Sequence, residues 1–230
     1  HRKFNDMTVQ EMIRHVEAKL SDIKDEFVYE KDGMGGHISD NIESILEQAM
    51  SRPDYGAPFQ SGYYNTTTRG ARRRKFYCIS GNPGSGKTRK GLGDLLFKCV
   101  PVIYDSKKSM WVYTGNREKG LFISTELEED EIKIPALCYI AEVDEDSLRA
   151  NELTDDERSR LRIASKILDK SDFWLEIMFD FDVDDLEHTI QKYINKYDVG
   201  YVFFDYLQTT LKLFDSMAKR GAKNLQEHHS

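Results

Sequence analysis

Gly81-Asn82-Pro83-Gly84-Ser85-Gly86-Lys87-Thr88 is the stretch from which the rest of the chain is best interpreted. It fits G-x-x-x-x-G-K-[ST], a pattern in which glycines let the backbone turn tightly and direct its N–H groups at an anion. At this spacing, Lys87 reaches the β- and γ-phosphates of a nucleotide, and the Thr88 hydroxyl ligates Mg²⁺. The stretch therefore predicts a phosphate-binding loop.

The flanks of this loop agree with that interpretation. The run FYCIS at 76–80 predicts a short buried strand, in which Cys78 is a small buried hydrophobe. Residues 88–98 predict a helix that points its positive end at the phosphates and packs through Leu92, Leu95 and Leu96. Strand, loop and helix in this order favour a nucleotide site over a turn that binds nothing. The residues we assign to nucleotide binding are Gly81, Asn82, Pro83, Gly84, Ser85, Gly86, Lys87, Thr88 and Arg89.

Composition excludes several classes of protein. The chain has 230 residues, 39% of them hydrophobic, and a formal net charge of −7, which does not suggest a surface coated in nucleic acid. Its three cysteines are scattered without a Cys-x-x-Cys pair, which argues against a disulfide framework and a zinc site. We find no membrane-length apolar run and no opening signal segment, so we expect a cytoplasmic protein. The basic run at 69–75 is interpreted as a solvated turn.

Residues 1–30 carry the pattern of an amphipathic helix. A capping box at Thr8–Glu11 is followed by a narrow apolar stripe with alternating spacings of four and three residues: Val9, Ile13, Val16, Leu20, Ile23 and Phe27. A helix in a globular core usually has a wider apolar face, so this seam could pack against another subunit. Packing against its own domain fits the sequence equally well.

Residues 31–51 are interpreted as a glycine-rich hinge followed by a short helix, which Ser39-Asp40 caps. Pro53 ends that helix, and we place the start of the main domain near Arg52. We expect 54–74 to be loop-like, because glycine, proline and aromatic residues alternate there.

Two apolar runs in the main domain each end in a carboxylate. They are 121–126, which ends at Glu126, and 201–205, which ends at Asp205. Continuous apolar runs are typical of parallel strands buried on both faces. Helices are predicted at 127–140, 154–170 and 184–196, a further strand at 173–178, and partly β structure at 101–119. This alternation predicts an α/β domain with a parallel sheet flanked by helices.

The two carboxylates suit different chemical tasks. In a parallel sheet, ligands gather at the carboxyl ends of the strands, where both side chains would lie. Asp205 is suited to hold Mg²⁺ together with Thr88. Glu126 is suited to orient and deprotonate a water that attacks the γ-phosphate, so it is the candidate catalytic base, with Lys87 as the second catalytic residue. Separate residues for the metal and the water favour a hydrolase over a kinase.

Three segments resemble DnaB-family replicative helicases. Ile123-Ser124-Thr125-Glu126-Leu127 is similar to the family's Ser-Leu-Glu-Met segment, and Phe204-Asp205-Tyr206-Leu207-Gln208 is similar to its Asp-Tyr-Leu-Gln segment. The stretch from Gly56 to Gly70 resembles the lead-in to the family's first strand. Thr125 and Leu127 depart from the usual Leu and Met, and 101–119 is a long insertion.

The resemblance implies a RecA-like core in a hexameric ring that hydrolyses ATP with Mg²⁺ and moves along single-stranded DNA. It implies that residues 1–30 form a linker helix that docks on a neighbouring subunit, and that a primase or helicase loader is a partner. It also implies that 52–230 is a C-terminally incomplete ATPase domain, with the phosphate sensor, DNA loops and arginine finger outside this chain. Most DNA contacts would lie in those absent segments.

Two other functions fit the phosphate-binding loop. One is a RecA-like ATPase switch or helicase loader, which binds partners without unwinding DNA. The other is a P-loop kinase acting on a small molecule, but the sequence shows no clear lid. The Asp-Tyr-Leu-Gln resemblance favours the helicase over both.

Overall fold

The computed structural model describes residues 37–51 and 55–206. They belong to two compact units, His1–Pro53 and Asp54–Ser230. In the first unit, helix α1 spans Ile42–Ser51, and none of its residues is buried. The predicted capping residue Asp40 accepts a hydrogen bond from the backbone N–H of His37 just before this helix. The amphipathic helix predicted within residues 1–30 lies outside the described residues.

The second unit alternates helices with strands. Its elements, in chain order, are α2 Gly62–Thr68, α3 Lys87–Cys99, β1 Val102–Asp105, β2 Met110–Tyr113, β3 Gly120–Ser124, α4 Glu129–Ala141, α5 Glu145–Arg149, α6 Asp155–Asp169, β4 Phe173–Ile177, α7 Val183–Tyr197 and β5 Tyr201–Asp205. Among the described residues, no helix has the length and apolar character needed to cross a membrane.

The central sheet has three parallel strands in the order β4-β3-β5. Gly120, the first residue of β3, is in register with Phe173 of β4 and with Tyr201 of β5. Every residue of β3 is buried, as expected of a strand covered on both faces. The structure therefore confirms the predicted parallel α/β organisation.

Helices cover the two faces of this sheet with separate apolar clusters. On one face, Phe122 packs with buried residues of α3 and α4 and with Ala164 of α6. On the other face, Leu121 and Ile123 pack with α7. The predicted apolar face of α3 is confirmed, since Leu92, Leu95 and Leu96 are all buried.

Helix α3 packs unusually close to the sheet, and two glycines make this approach possible. A Cβ atom on Gly91 would lie 1.9 Å from the Phe203 ring of β5, and one on Gly120 would lie 2.5 Å from Cys99 Sγ. Any larger residue at either position would push the helix away. Because α3 follows the phosphate-binding loop, these glycines also fix the loop over the sheet.

The predicted strand at 76–80 is wrong. This segment has no strand geometry; Phe76 is 85% exposed, and Cys78, which was predicted to be buried, is exposed. A cavity of about 470 Å³ separates the segment from β5, with Ile79 on one wall and Val202 on the other. A strand forms only with a hydrogen-bonded neighbour, and no described residue pairs with this segment, so its apolar character alone does not form one.

The predicted loop at 54–74 contains a short helix, α2. The Asn65 side chain accepts a hydrogen bond from the backbone N–H of Phe59 and donates one to the Phe59 carbonyl. Three successive threonines, Thr66 to Thr68, each donate their hydroxyl to the carbonyl four residues earlier. These local bonds satisfy polar groups along a segment that has little apolar surface to bury.

The insertion at 101–119 forms an antiparallel hairpin of β1 and β2. The rings of Tyr104 and Trp111 meet edge to face across it, with centroids 5.4 Å apart. The Arg160 guanidinium of α6 lies 4.4 Å from the centre of the Tyr104 ring. These contacts fasten the hairpin to the helical layer beside the sheet.

Candidate functional site

The phosphate-binding loop has the backbone conformation that its glycines were predicted to supply. Gly84 and Gly86 lie in the left-handed region, with φ of 75° and 82°. Gly86 is the N-cap of α3, which begins at Lys87. The loop thus delivers the chain into the first turn of a helix, whose unpaired N–H groups attract anions.

Lys87 lies within the curve of this loop. Its Nζ donates hydrogen bonds of 3.0 Å to the carbonyl oxygens of both Gly81 and Asn82. Gly81 must be a glycine here, because a Cβ atom would lie 2.7 Å from Ser85 Oγ. The ammonium group is therefore held where a phosphate would meet both it and the loop amides.

Asp205 ends β5 as predicted and is only 6% exposed. It is in register with Ser124, the last residue of β3. The same cavity of about 470 Å³ is lined by Asp205, Lys87 and Gly81. The structure thus brings the candidate metal ligand and the phosphate-binding lysine to one cavity at the carboxyl end of the sheet.

Thr125 is a site residue that the sequence interpretation missed. Its N–H donates to the Asp205 carbonyl over 2.8 Å, and its Oγ1 lies 3.3 Å from the carbonyl oxygens of Asp205 and Tyr206. The N–H of Tyr206 donates back to the same hydroxyl oxygen over 3.2 Å. The sequence marks Thr125 only as a departure from the family pattern, although a hydroxyl placed directly before a strand-end carboxylate was the available signal.

Glu126 follows Thr125 at the same edge of the sheet and is exposed. The turn that presents it is held by Ser124, whose Oγ donates to the Leu127 carbonyl and accepts from the Leu127 N–H, both over 3.0 Å. Glu126 does not line the cavity that Lys87 and Asp205 share. Its neighbour Glu128 is the N-cap of α4 and is engaged there in a capping box with Glu131.

Arg89 points toward α5. Its guanidinium forms an ion pair with Glu145, which also pairs with Arg149 over 3.0 Å. The hydrogen bond from Arg89 lowers the pKa of the Glu145 carboxyl, and the same bond raises the pKa of Arg89. Arg89, which directly follows Thr88, therefore links the loop helix to α5.

The donor set at this edge fits a magnesium–nucleotide complex. Within residues 37–51 and 55–206, no three His, Cys, Asp or Glu side chains gather into a site that could hold a metal alone. Mg²⁺ is usually bound by one or two protein carboxylates together with substrate phosphates. Thr88 and Asp205 supply protein oxygens of this kind beside the phosphate-binding loop.

The basic run at 69–75 lies at the opposite end of the sheet. Arg73 donates to Glu118 over 3.0 Å, and its guanidinium lies 6.0 Å from the ring centre of Tyr201, the first residue of β5. The structure thus agrees with interpreting this run as a turn away from the nucleotide.

The family model of the DnaB-like helicase C-terminal domain matches residues 59–227. The chain belongs to this family. The match includes the phosphate-binding loop and both strand-end carboxylates, and it makes the DnaB resemblance of the three sequence segments a confirmed prediction.

Relatives of this DnaB-like chain include a prophage protein and cellular helicases. The SPbeta prophage-derived uncharacterized protein YorI of Bacillus subtilis is 33% identical over 225 residues, which cover 98% of this chain and 45% of that protein. The replicative DNA helicase DnaB of Rickettsia felis is 26% identical over 211 residues, which cover 88% of this chain and 41% of the helicase. The chain thus spans less than half the length of these relatives.

Solved structures share the fold of the DnaB-like chain. A DnaB-like replicative helicase, described with its interactions with primase, superposes with a TM-score of 0.59 at 18% identity, covering 86% of this chain and 45% of that one. A second solved structure, described as an ATPase domain, superposes with a TM-score of 0.56 at 17% identity, covering 75% of this chain and 58% of that one. The predicted RecA-like ATPase fold is confirmed.

Proposed function

We propose that this chain is the ATPase part of a DnaB-type replicative helicase, which hydrolyses ATP to move along single-stranded DNA and unwind duplex. The observation that carries the proposal is the joining of β3 to β5 through Thr125, which sets Glu126 and Asp205 at one edge of the sheet beside the loop. Family membership supports it.

The residues of this edge divide the work of hydrolysis. The loop amides and the Lys87 ammonium bind the phosphates and stabilise the negative charge that develops on them. Thr88 and Asp205 would hold Mg²⁺, which supplies further charge neutralisation when bound. The Glu126 carboxylate, presented to solvent by the Ser124–Leu127 turn, accepts a proton from the attacking water.

The DNA, subunit and protein partners follow from the family. We propose a hexameric ring, docked through the predicted helix within residues 1–30, and a primase or helicase loader as a partner. The primase interactions belong to the solved DnaB-like helicase and come to this chain by family likeness. We propose that most DNA contacts lie outside residues 1–230, so this chain alone should bind single-stranded DNA weakly.

The test is ATP turnover by the intact polypeptide, with and without single-stranded DNA, together with strand separation on a forked duplex. We expect magnesium-dependent hydrolysis that DNA accelerates, accompanied by unwinding. Hydrolysis without DNA stimulation or unwinding would instead indicate a switch or loader. Phosphate transfer to a small molecule would indicate a kinase.

A further inference from the structure

A second cavity, of about 540 Å³, opens beside the loop helix and belongs to none of the roles above. It lies between α3, α4 and the inserted β1–β2 hairpin, and the walls used here are Gln60, Arg89, Leu92, Ile103, Pro135 and Tyr139. Its volume is in the range of small-molecule sites, which are typically about 300–1,000 Å³. We call it the Tyr139 cavity.

We propose that the Tyr139 cavity binds the adenine base of the nucleotide. This inference rests on the proposed ATPase function, because the cavity would hold one end of the molecule whose phosphates lie in the loop. The inserted hairpin contributes Ile103 to the cavity wall. The base site is therefore built partly from the segment in which this chain departs from the family pattern.

The position of the cavity along α3 suits a base. Arg89 directly follows Thr88, and Leu92 and Gly93 line the cavity one turn later. With a rise of about 1.5 Å per residue, Gly93 lies about 7.5 Å beyond Thr88 along the helix axis. Phosphates at the N-terminus of α3 would leave the base, one sugar away, beside these first turns.

The walls of the cavity suit a planar ring. Leu92, Ile103 and Pro135 offer apolar surface. Gly93 lets Tyr139 and Gln60 approach the helix, because its Cβ would lie only 3.3 Å from Tyr139 Cε2 and 3.4 Å from Gln60 Oε1. A slot with apolar walls and a few polar groups is the usual form of a site for an aromatic ligand.

The polar groups of the cavity favour adenine among the bases. The Tyr139 hydroxyl is buried and has no hydrogen-bond partner within the described part of the chain. Burial raises the pKa of this phenol, which keeps it protonated as a donor. Adenine offers ring nitrogens that accept from such a donor, and beside them an amino group that donates.

Carboxylates at the mouth of the cavity provide the acceptor for that amino group. Glu142 accepts a hydrogen bond from the Ser106 N–H of the hairpin through one oxygen. A carboxylate has about four acceptor positions, so capacity remains for the amino group. Hypoxanthine carries a carbonyl in place of this amino group and a protonated ring nitrogen beside it, so both of its groups would oppose the protein's.

The experiment compares the binding of ATP, ITP and inorganic tripolyphosphate, each with Mg²⁺, by calorimetry. We expect the wild-type chain to bind ATP more tightly than ITP. Tyr139→Phe should weaken ATP binding about two- to tenfold, the value of one hydrogen bond, and leave tripolyphosphate binding unchanged. The matched control Tyr197→Phe alters a half-buried tyrosine on the other face of the sheet and should leave all three affinities unchanged.

Each outcome decides the inference. Equal affinity of the wild type for ATP and ITP, or an unchanged ATP-to-ITP ratio in a folded Tyr139→Phe variant, would overturn the base site. If Tyr139→Phe does not fold, Glu142→Gln at the exposed rim gives the same test and should narrow the ratio. Failure of the wild type to bind even tripolyphosphate would contradict the phosphate-binding loop, and with it the proposed function, rather than the base site alone.

Discussion

Thr125 on the turn after β3 and Asp205 at the end of β5 are joined through the backbone, with 2.8 Å between the Thr125 nitrogen and the Asp205 carbonyl oxygen. The threonine hydroxyl adds contacts to the carbonyls of Asp205 and Tyr206. The candidate base Glu126 and the candidate metal ligand Asp205 therefore extend from adjacent strands whose ends are fastened together.

Thr125→Val tests this fastening, because it removes the hydroxyl and keeps both the backbone bond and the side-chain shape. We expect the free energy of unfolding to fall by about 1 kcal/mol, the net value of a buried hydrogen bond, and ATP turnover to fall with it. Urea unfolding and steady-state hydrolysis measure the two effects. Thr125→Ser retains the hydroxyl and is the control; identical behaviour of the valine variant and wild type would show that the hydroxyl contributes nothing.

Lys87→Ala tests the phosphate contact. The ammonium lies within the loop, 3.0 Å from two of its carbonyls, so its removal should weaken ATP binding by about 1.5–3 kcal/mol, the value of a charged hydrogen bond. Calorimetric titration with ATP and Mg²⁺ measures the difference. Lys166→Ala, at an exposed position on α6, is the matched control and should bind like wild type. Unchanged ATP affinity in Lys87→Ala would place the phosphates elsewhere.

Lys98 on α3 makes the stability of the domain depend on alkaline pH. This lysine is 3% exposed; it donates to the Asp94 carbonyl over 3.0 Å and lies 4.3 Å from the ring centre of Phe59. Burial lowers the pKa of Lys98 from 10.5 to about 8. Between these values the unfolded chain binds the proton that the folded chain has lost, so the contribution of Lys98 to stability increases with pH.

The comparison with Lys98→Met isolates this effect. The free energy of unfolding of wild type, relative to the methionine variant, should rise by roughly 1–2 kcal/mol between pH 7.5 and pH 9.5 and stay level below pH 7.5. Urea unfolding at each pH measures it, with the exposed Lys166→Met as control. A difference between wild type and Lys98→Met that does not change with pH would show that Lys98 titrates as it does in water.

Assembly is tested through the predicted helix within residues 1–30. Ile13→Asp combined with Leu20→Asp places two charges in its apolar seam, where each large apolar residue contributes about 1.5–3 kcal/mol when fully buried. We expect the ATPase unit to stay folded and the intact polypeptide to become largely monomeric by light scattering. Glu17→Asp with Asp22→Glu changes charged positions outside the seam and should assemble normally. A double seam variant that assembles like wild type would make the helix an intramolecular element.

Local patterns were sufficient to predict the loop, α3 and the three parallel strands. Gly84, Gly86 and Lys87 carry their signal within a few residues, and the runs ending at Ser124 and Asp205 are apolar throughout because both faces are covered. The capping box predicted near Thr154 is also present, with its hydroxyl accepting from the Glu157 N–H over 3.2 Å. Such features depend on neighbours in sequence.

Features that depend on distant partners were not predictable in the same way. The segment 76–80 has the composition of a strand, but its geometry depends on a hydrogen-bonded neighbour that the described chain does not place there. The role of Thr125 depends on Asp205, eighty residues later in the chain. The Tyr139 cavity depends on how the hairpin packs against α3 and α4, which no local pattern specifies.

Glu126→Gln provides the most direct test of the central claim, that the carboxyl edge of this sheet hydrolyses ATP. The substitution keeps the shape of the side chain and removes its ability to take a proton from water. Single-turnover hydrolysis at saturating ATP and Mg²⁺, with binding measured in parallel, separates chemistry from affinity. Glu128→Gln, at the N-cap of α4, is the neighbouring control.

We expect Glu126→Gln to bind ATP like wild type and to hydrolyse it about 10²–10⁴-fold more slowly, the usual contribution of a general base. Asp205→Asn should differ from it by weakening the magnesium-dependent part of ATP binding. Hydrolysis by Glu126→Gln at the wild-type rate would contradict the account.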